Sequence, residues 1–292
     1  LVGSEMCIRD RRDDDDYVDD DDDDEDLDVS MFSKKKKKAG WDDLPGDGDD
    51  LAAAIGRLPR MGRFVTAFGA ASVDPQLPEL QEGRWPALDW NPIAAAVGAR
   101  RRSLHHLAPP ERTGDGPAWA ETTRQAQADV LRTTIETLRK VKYRPTGGFC
   151  AFYLADPGPA GGFGVLDSDR RAKPALEALT DACRPVIVVG EPLPASVGVG
   201  EVYEIAIHVV SDLHEPLRDG VVSATIHHAD GTTDIHRWGG EIEADSVVRI
   251  ALLSVPALRP GALTVELALN AVVDDAENGE ITAHSSVKTT VS

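Results

Sequence analysis

The sequence predicts two architectures in series: an α/β segment built on a parallel sheet or barrel, then an immunoglobulin-like β-sandwich. Two observations carry this. Between Asp50 and Pro185, apolar runs of strand length alternate with long helical patterns, and strand, helical return, strand, helix is how parallel sheets are connected. From residue 186 onward the apolar period switches to two, with turn signals between short runs. At 292 residues the chain is long enough to bury a sizeable core in each part.

Residues 1–49 are expected to be a disordered, low-complexity segment. Asp13–Asp16 and Asp19–Asp24 form a nearly pure acidic block, and Lys34–Lys38 follow it. Charges this dense repel one another and bury nothing. A calcium loop would need a tight glycine turn among its oxygen ligands, and no glycine interrupts the run. The first eleven residues, LVGSEMCIRDR, resemble translated sequencing-adapter read-through. On that reading the natural N-terminus lies upstream, and no leader can be judged from this end.

Asp50–Arg60 reads as a short Ala-rich helix stopped near Pro59. Gly62–Phe68 (GRFVTAF) is a compact apolar run with the length of one buried strand. The stretch GAASVDPQLPEL is rich in turn formers and reads as a loop. Asn91-Pro92 then places a capping side chain before a helix-starting proline, with Ile93, Val97 and Leu104 at helical spacing down to Pro109. A longer helix follows Asp115-Gly116-Pro117, its stripe formed by Val130, Leu131, Ile135 and Leu138. Gly148–Ala155 (GFCAFYLA) reads as a second buried strand, and a helix is expected from Lys173 to Ala182.

In the distal part, Tyr203, Ile205, Ile207 and Val209 alternate with Glu204, Ala206 and His208. Leu263, Val265, Leu267 and Leu269 alternate in the same way. Runs at Val186–Val189, Val221–His228, Thr232–Trp238, Val247–Val255 and Ile281–Val291 bring the expectation to about seven strands. Asp230-Gly231, Gly239-Gly240, Pro260-Gly261 and Asn278-Gly279 are the turn signals between them. The sandwich is expected to be the independently folding unit, since two parallel strands with open edges are poorly stable alone.

Composition narrows the function. Asp plus Glu is 50 against 31 Lys plus Arg, a net charge of −19, so no basic surplus exists to neutralise phosphates and nucleic acid is not an expected partner. Residues 1–50 hold 20 of those acidic residues against 8 basic ones. No apolar run approaches the roughly 18 residues of a membrane span, so no membrane partner is expected. Cys7, Cys150 and Cys183 give neither a disulfide framework nor a zinc pattern, which favours a reducing compartment, the cytoplasm. Cys150 and Cys183 read as small buried hydrophobes. His227 and His228 point to opposite faces of one strand and cannot share a metal, so no metal is expected. His105-His106 suit a helix end, and Trp85 and Trp90 read as loop anchors that could also shape a ligand subsite.

Lys142–Asp156 (KYRPTGGFCAFYLAD) and Gly162–Leu179 (GFGVLDSDRRAKPALEAL) together resemble the last barrel strand and closing helix of family 2 glycoside hydrolases, in the β-mannosidase-like branch. GRFVTAFGA (Gly62–Ala70) resembles that family's seventh barrel strand, which carries V-[ST]-E-F-G. The resemblance implies the C-terminal part of a (β/α)8 TIM barrel over residues 50–185 and a sandwich over 186–292. It also implies retaining hydrolysis of terminal β-D-mannosides or related glycans without a cofactor.

Retaining glycosidases hold two carboxyl groups about 5–5.5 Å apart, one as nucleophile and one as acid/base. By the resemblance, the nucleophile's place is filled by Ala67, and the general acid belongs to an earlier strand that this chain lacks. A methyl group cannot attack an anomeric carbon, so the chain is expected to be an inactive fragment. Phe163 replaces the family's tryptophan, keeping a stacking face but losing the indole N–H. Asp156 and Asp167 match acidic positions of the eighth-strand region and read either as substrate-binding or site-holding residues, or as turn caps in Asp156-Pro157-Gly158 and Asp167-Ser168-Asp169. Two other readings stand beside this one: a non-catalytic glycan-binding homologue, and a structural β-sandwich interaction module.

Overall fold

The computed structural model describes residues 64–82, 85–99, 101–144, 146–273 and 279–292. The acidic front segment and the expected helix at Asp50–Arg60 lie outside these residues.

β1 (Phe64–Phe68) leads into a two-residue strand, β2 (Ser72–Val73), and a short helix, α1 (Pro78–Glu82). The stretch expected as plain loop therefore holds two small elements. α2 (Trp90–Ala96) and α3 (Arg101–Leu107) replace the single helix that the Ile93–Leu104 spacing suggests. Gly98 is the reason. It sits at φ +69°, its N–H donates to the Ala95 carbonyl and that of Ala99 donates to Ala94 O, a Schellman ending that reverses the chain. The N-cap of α2 is Asp89 rather than Asn91, its carboxylate accepting from the Asn91 N–H.

α4 (Gly116–Lys140) begins as expected, with the Asp115 carboxylate capping the Ala118 N–H at 2.8 Å and Pro117 in the first turn. Its buried stripe is longer than the sequence suggests, running Trp119, Thr123, Gln127, Leu131, Ile135 and Leu138. Two of these are polar, and their roles appear in the site below. β3 (Gly148–Ala151), β4 (Gly161–Gly162) and α5 (Pro174–Ala182) complete the first unit.

β1 and β3 pair in parallel, with Thr66 opposite Cys150 and Phe68 opposite Ala151, so Ala67 is the extra residue of a bulge. One face of the pair, bearing Val65, Phe68, Phe149 and Ala151, packs on Leu131, Ile135 and Leu138 of α4 and on Ala175 and Ala182 of α5. The other face is bare. Phe64 is 59% exposed and Cys150 is exposed, which corrects the expectation that this cysteine is a buried hydrophobe. Cys183 is exposed as well.

The distal unit is a two-sheet β-sandwich. β5 (Val186–Gly190), β6 (Ser196–Val197), β7 (Val202–Ser211), β8 (Leu217–His227), β9 (Thr233–Ile242), β10 (Val247–Pro256), β11 (Gly261–Val273) and β12 (Glu280–Val291) form it. One sheet has the order β10-β7-β5 and the other β6-β12-β11-β8-β9. Ile205, Ile207 and Val209 meet Val222, Ile226, Val265, Leu267 and Val287 between them. Burying each such side chain is worth about 1.5–3 kcal/mol, so this core is the main source of the unit's stability.

Two sequence expectations change here. Gly239-Gly240 is no turn but the interior of β9, where Gly240 lies opposite Gly220 in close backbone contact. β7 does not alternate between core and solvent: Ala206, His208 and Val210 are buried too. The end of α4 also contacts β7.

Candidate functional site

The C-terminal ends of β1 and β3 form a common rim. The Phe152 N–H, one residue past β3, donates to the Phe68 carbonyl at 3.1 Å, so the two strand ends stay joined where the chain turns away. Ala67 lies one residue before that link. The Phe152–Tyr153 peptide is cis, and the two rings pack edge to face with centroids 4.6 Å apart. Phe163 joins them, 5.8 Å from Phe152 and 6.3 Å from Tyr153. Phe152 is 45% exposed, so the cluster offers an open aromatic face. In the sequence Phe152 and Tyr153 read only as strand residues.

The segments that follow these strand ends hold a buried polar network. The Asp156 carboxylate and the Lys173 ammonium form an ion pair of 2.8 Å, with both side chains about 1% exposed. The other Asp156 oxygen accepts from the Gly164 N–H at 2.7 Å. Lys173 also donates to Ser72 Oγ at 3.0 Å and to the Gly162 carbonyl at 3.2 Å. Burial lowers the Lys173 pKa, and the bond to Asp156 opposes that shift.

Gln127 closes the network from α4. Its Oε1 accepts from Ser72 Oγ, and its amide donates to the carbonyls of Ala70, Gly162 and Gly164. Thr123 accepts from the Val73 N–H, which welds β2 to the same helix. Gly162 lets the parts meet: a Cβ there would lie 2.8 Å from the Tyr153 hydroxyl and 2.9 Å from Asp156 Oδ1. A lysine directly before Pro174 and a glutamine inside an apolar stripe were the available signals for Lys173 and Gln127.

Asp167 sits in a separate turn. Its Oδ1 accepts from the N–H groups of Asp169 and Arg171, closing the loop that leads into α5. The structure therefore places Ala67 at the β1 bulge, sets Phe163 against Phe152 just past β3, holds Asp156 in a buried ion pair with Lys173, and leaves Asp167 capping a turn.

Trp85 and Trp90 pack edge to face with each other and against Trp119, and the Trp85 indole N–H donates to the Thr113 carbonyl. His105 stacks its edge on Trp90. On the sandwich, His227 lies 3.2 Å from Glu266, whereas His228 is buried beside Asp234 at 3.0 Å. Among the described residues no three His, Cys, Asp or Glu side chains gather as a metal site, and no helix is long and apolar enough to cross a membrane.

What the rim can do chemically follows from its parts. Aromatic faces can stack on a sugar ring. Asp156, on the segment leaving the rim, already spends both oxygens internally.

No family model matches the sequence, and no curated protein matches it. Solved structures do resemble its fold. The β-D-mannosidase from Dictyoglomus thermophilum aligns with a TM-score of 0.57 at 18% identity, over 81% of this chain and 28% of that one. An exo-β-D-glucosaminidase, CsxA, aligns at 0.53 and 9% identity, over 75% and 26%. The Amycolatopsis orientalis exo-chitosanase CsxA aligns at 0.50 and 11% identity, over 65% and 21%. The chain thus spans about a quarter of the length of these enzymes and shares the fold of that portion. The mannosidase alignment is too long for the sandwich alone, so it takes in much of the α/β unit.

Proposed function

We propose that this chain is part of a β-mannosidase-type glycoside hydrolase related to family 2, and that the chain alone is not catalytic. Residues 64–185 are then the closing part of a (β/α)8 barrel, and residues 186–292 an immunoglobulin-like sandwich. The observation that carries this reading is the parallel pairing of β1 with β3, backed by helices on one face only. In a closed barrel the face turned away from the helices is the packed interior, and here that face exposes Phe64 and Cys150. The likeness to the mannosidase portion supports it at the level of fold.

Barrel enzymes place their reacting groups at the C-terminal ends of the strands. On this reading Ala67, the bulge residue of β1, stands where the nucleophile would. The substrate class is a terminal β-D-mannoside or related glycan, cleaved with retention by the intact enzyme and without a cofactor. Phe163, together with Phe152, supplies a stacking surface, while Asp156 and Asp167 act on the site by holding its loop in shape. Incubating the 292-residue chain with 4-nitrophenyl β-mannoside should release no nitrophenol above the buffer rate. Steady turnover would remove Ala67 from the nucleophile's place.

The open aromatic face favours a second reading, a homologue that binds glycan without cutting it. Titration with mannobiose separates the two. Saturable binding that disappears in Phe152→Ala supports the binder, and no binding supports the catalytically incomplete segment.

A further inference from the structure

The two units meet at the C-terminal end of α4, through an arrangement that packing alone does not require. Arg139 is buried, 6% exposed at its side chain, and its guanidinium reaches four oxygens. One Nη donates to the carbonyls of Ala182 and Arg184 at 2.6 and 2.7 Å. The other donates to the Pro185 carbonyl at 3.3 Å and to Asp212 Oδ2 at 2.7 Å. It thus binds the end of α5, the linker and the loop between β7 and β8 at one point.

Lys142 repeats the pattern one turn on. Its ammonium donates to the Ser211 carbonyl, to Asp212 Oδ1 at 2.8 Å and to Asp245 Oδ1 at 2.9 Å. The Tyr143 hydroxyl donates to the second Asp245 oxygen at 3.0 Å. Backbone follows side chain, since the Asp212 N–H donates to the Pro185 carbonyl at 2.8 Å. Around this core stand Lys140 and Glu191 at 3.9 Å, Glu136 on α4, His214 near Asp245, and Cys183 on the linker.

We propose that Arg139 and Lys142, closed on Asp212 and Asp245, form a clasp that couples the α/β unit and the sandwich into one cooperatively folding body. The distribution of exposure makes it a switchable coupling. The cations are buried, at 6% and 11%, while Asp212 and Asp245 are 46% and 43% exposed. Neutralising the carboxylates leaves two desolvated positive charges whose remaining hydrogen bonds at the junction go to carbonyl oxygens, a costly arrangement that parting the units relieves by hydration. Each unit keeps its own core, so the joint gives way before either core does.

Differential scanning calorimetry of the full chain near pH 7 tests this, with tryptophan emission followed in parallel. The native chain should melt in one transition whose calorimetric and van't Hoff enthalpies agree. Asp212→Asn/Asp245→Asn keeps the side-chain shapes and should melt in two transitions. The lower would be the α/β unit, with Trp85, Trp90 and Trp119, and the upper the sandwich, with Trp238. Arg139→Met should behave likewise, and if it misfolds the double asparagine variant still decides. Two transitions in the native chain, or a single one in the double variant at any temperature, overturn the clasp.

Discussion

Asp156 and Lys173 each need the other. Both are desolvated, and each has a second partner that cannot carry its full charge. Lys173→Met should therefore cost about 3–5 kcal/mol in urea unfolding, the usual penalty for stranding one member of a buried pair. Glu136 behaves oppositely. Burial pushes its carboxyl up to about 7 in the folded chain, against the opposing pull of Arg132, Lys140 and Arg139. The folded state thus binds the proton more tightly than the unfolded state between the ordinary carboxylate range and pH 7. Stability from this group falls as pH rises through that window. Glu136→Gln should raise the melting temperature at pH 8 and leave it nearly unchanged at pH 4. In the sequence, Asp156 is visible as an acid beside a turn, but not as half of a pair. Lys173 lies far along the chain, and only the β2–β4 contact brings Ser72, Gly162 and the ammonium together.

Elements with strong local signals are the ones the sequence specifies. Asp115, Pro117 and a run of apolar residues at helical spacing define α4 without tertiary help. The strands of the sandwich follow from period two, except where tertiary contact intervenes. β7 is buried on both faces, and no local pattern announces that. Gly239-Gly240 carries the composition of a turn, yet a glycine pair can equally serve close approach between strands. Gly98 is the contrary case, a helix stop that spacing alone overrides. A Cβ there meets nothing within 4 Å, so the penalty of substitution is purely backbone. Gly98→Ala should cost about 1–2 kcal/mol, the price of a left-handed residue with a side chain, measured by urea unfolding.

At the scale of the molecule, the change of apolar period near Pro185 is the signal from which two units in series are expected. Their joint has no such signal. Arg139 looks like any basic residue at a helix end, and Asp212 and Asp245 like any loop acids, until the fold brings them together. The packing of Phe163 on Phe152 and Tyr153 has no signal in the sequence, where Phe152 lies hidden inside an apolar run. The bare face of β1 and β3 could not be read at all, since burial depends on which elements cover a sheet. That pair is also where the glycoside hydrolase reading proposed above rests. Thr66 and Cys150 are Cα partners across it and both are exposed. Neighbouring strands lie about 4.8 Å apart, within the reach of a disulfide. Thr66→Cys, in a chain with Cys7 and Cys183 changed to serine, should form a 66–150 disulfide under mild oxidation, detected as a linked peptide by mass spectrometry. Thiols at both positions that stay free under the same oxidant would contradict the parallel pairing and the reading drawn from it.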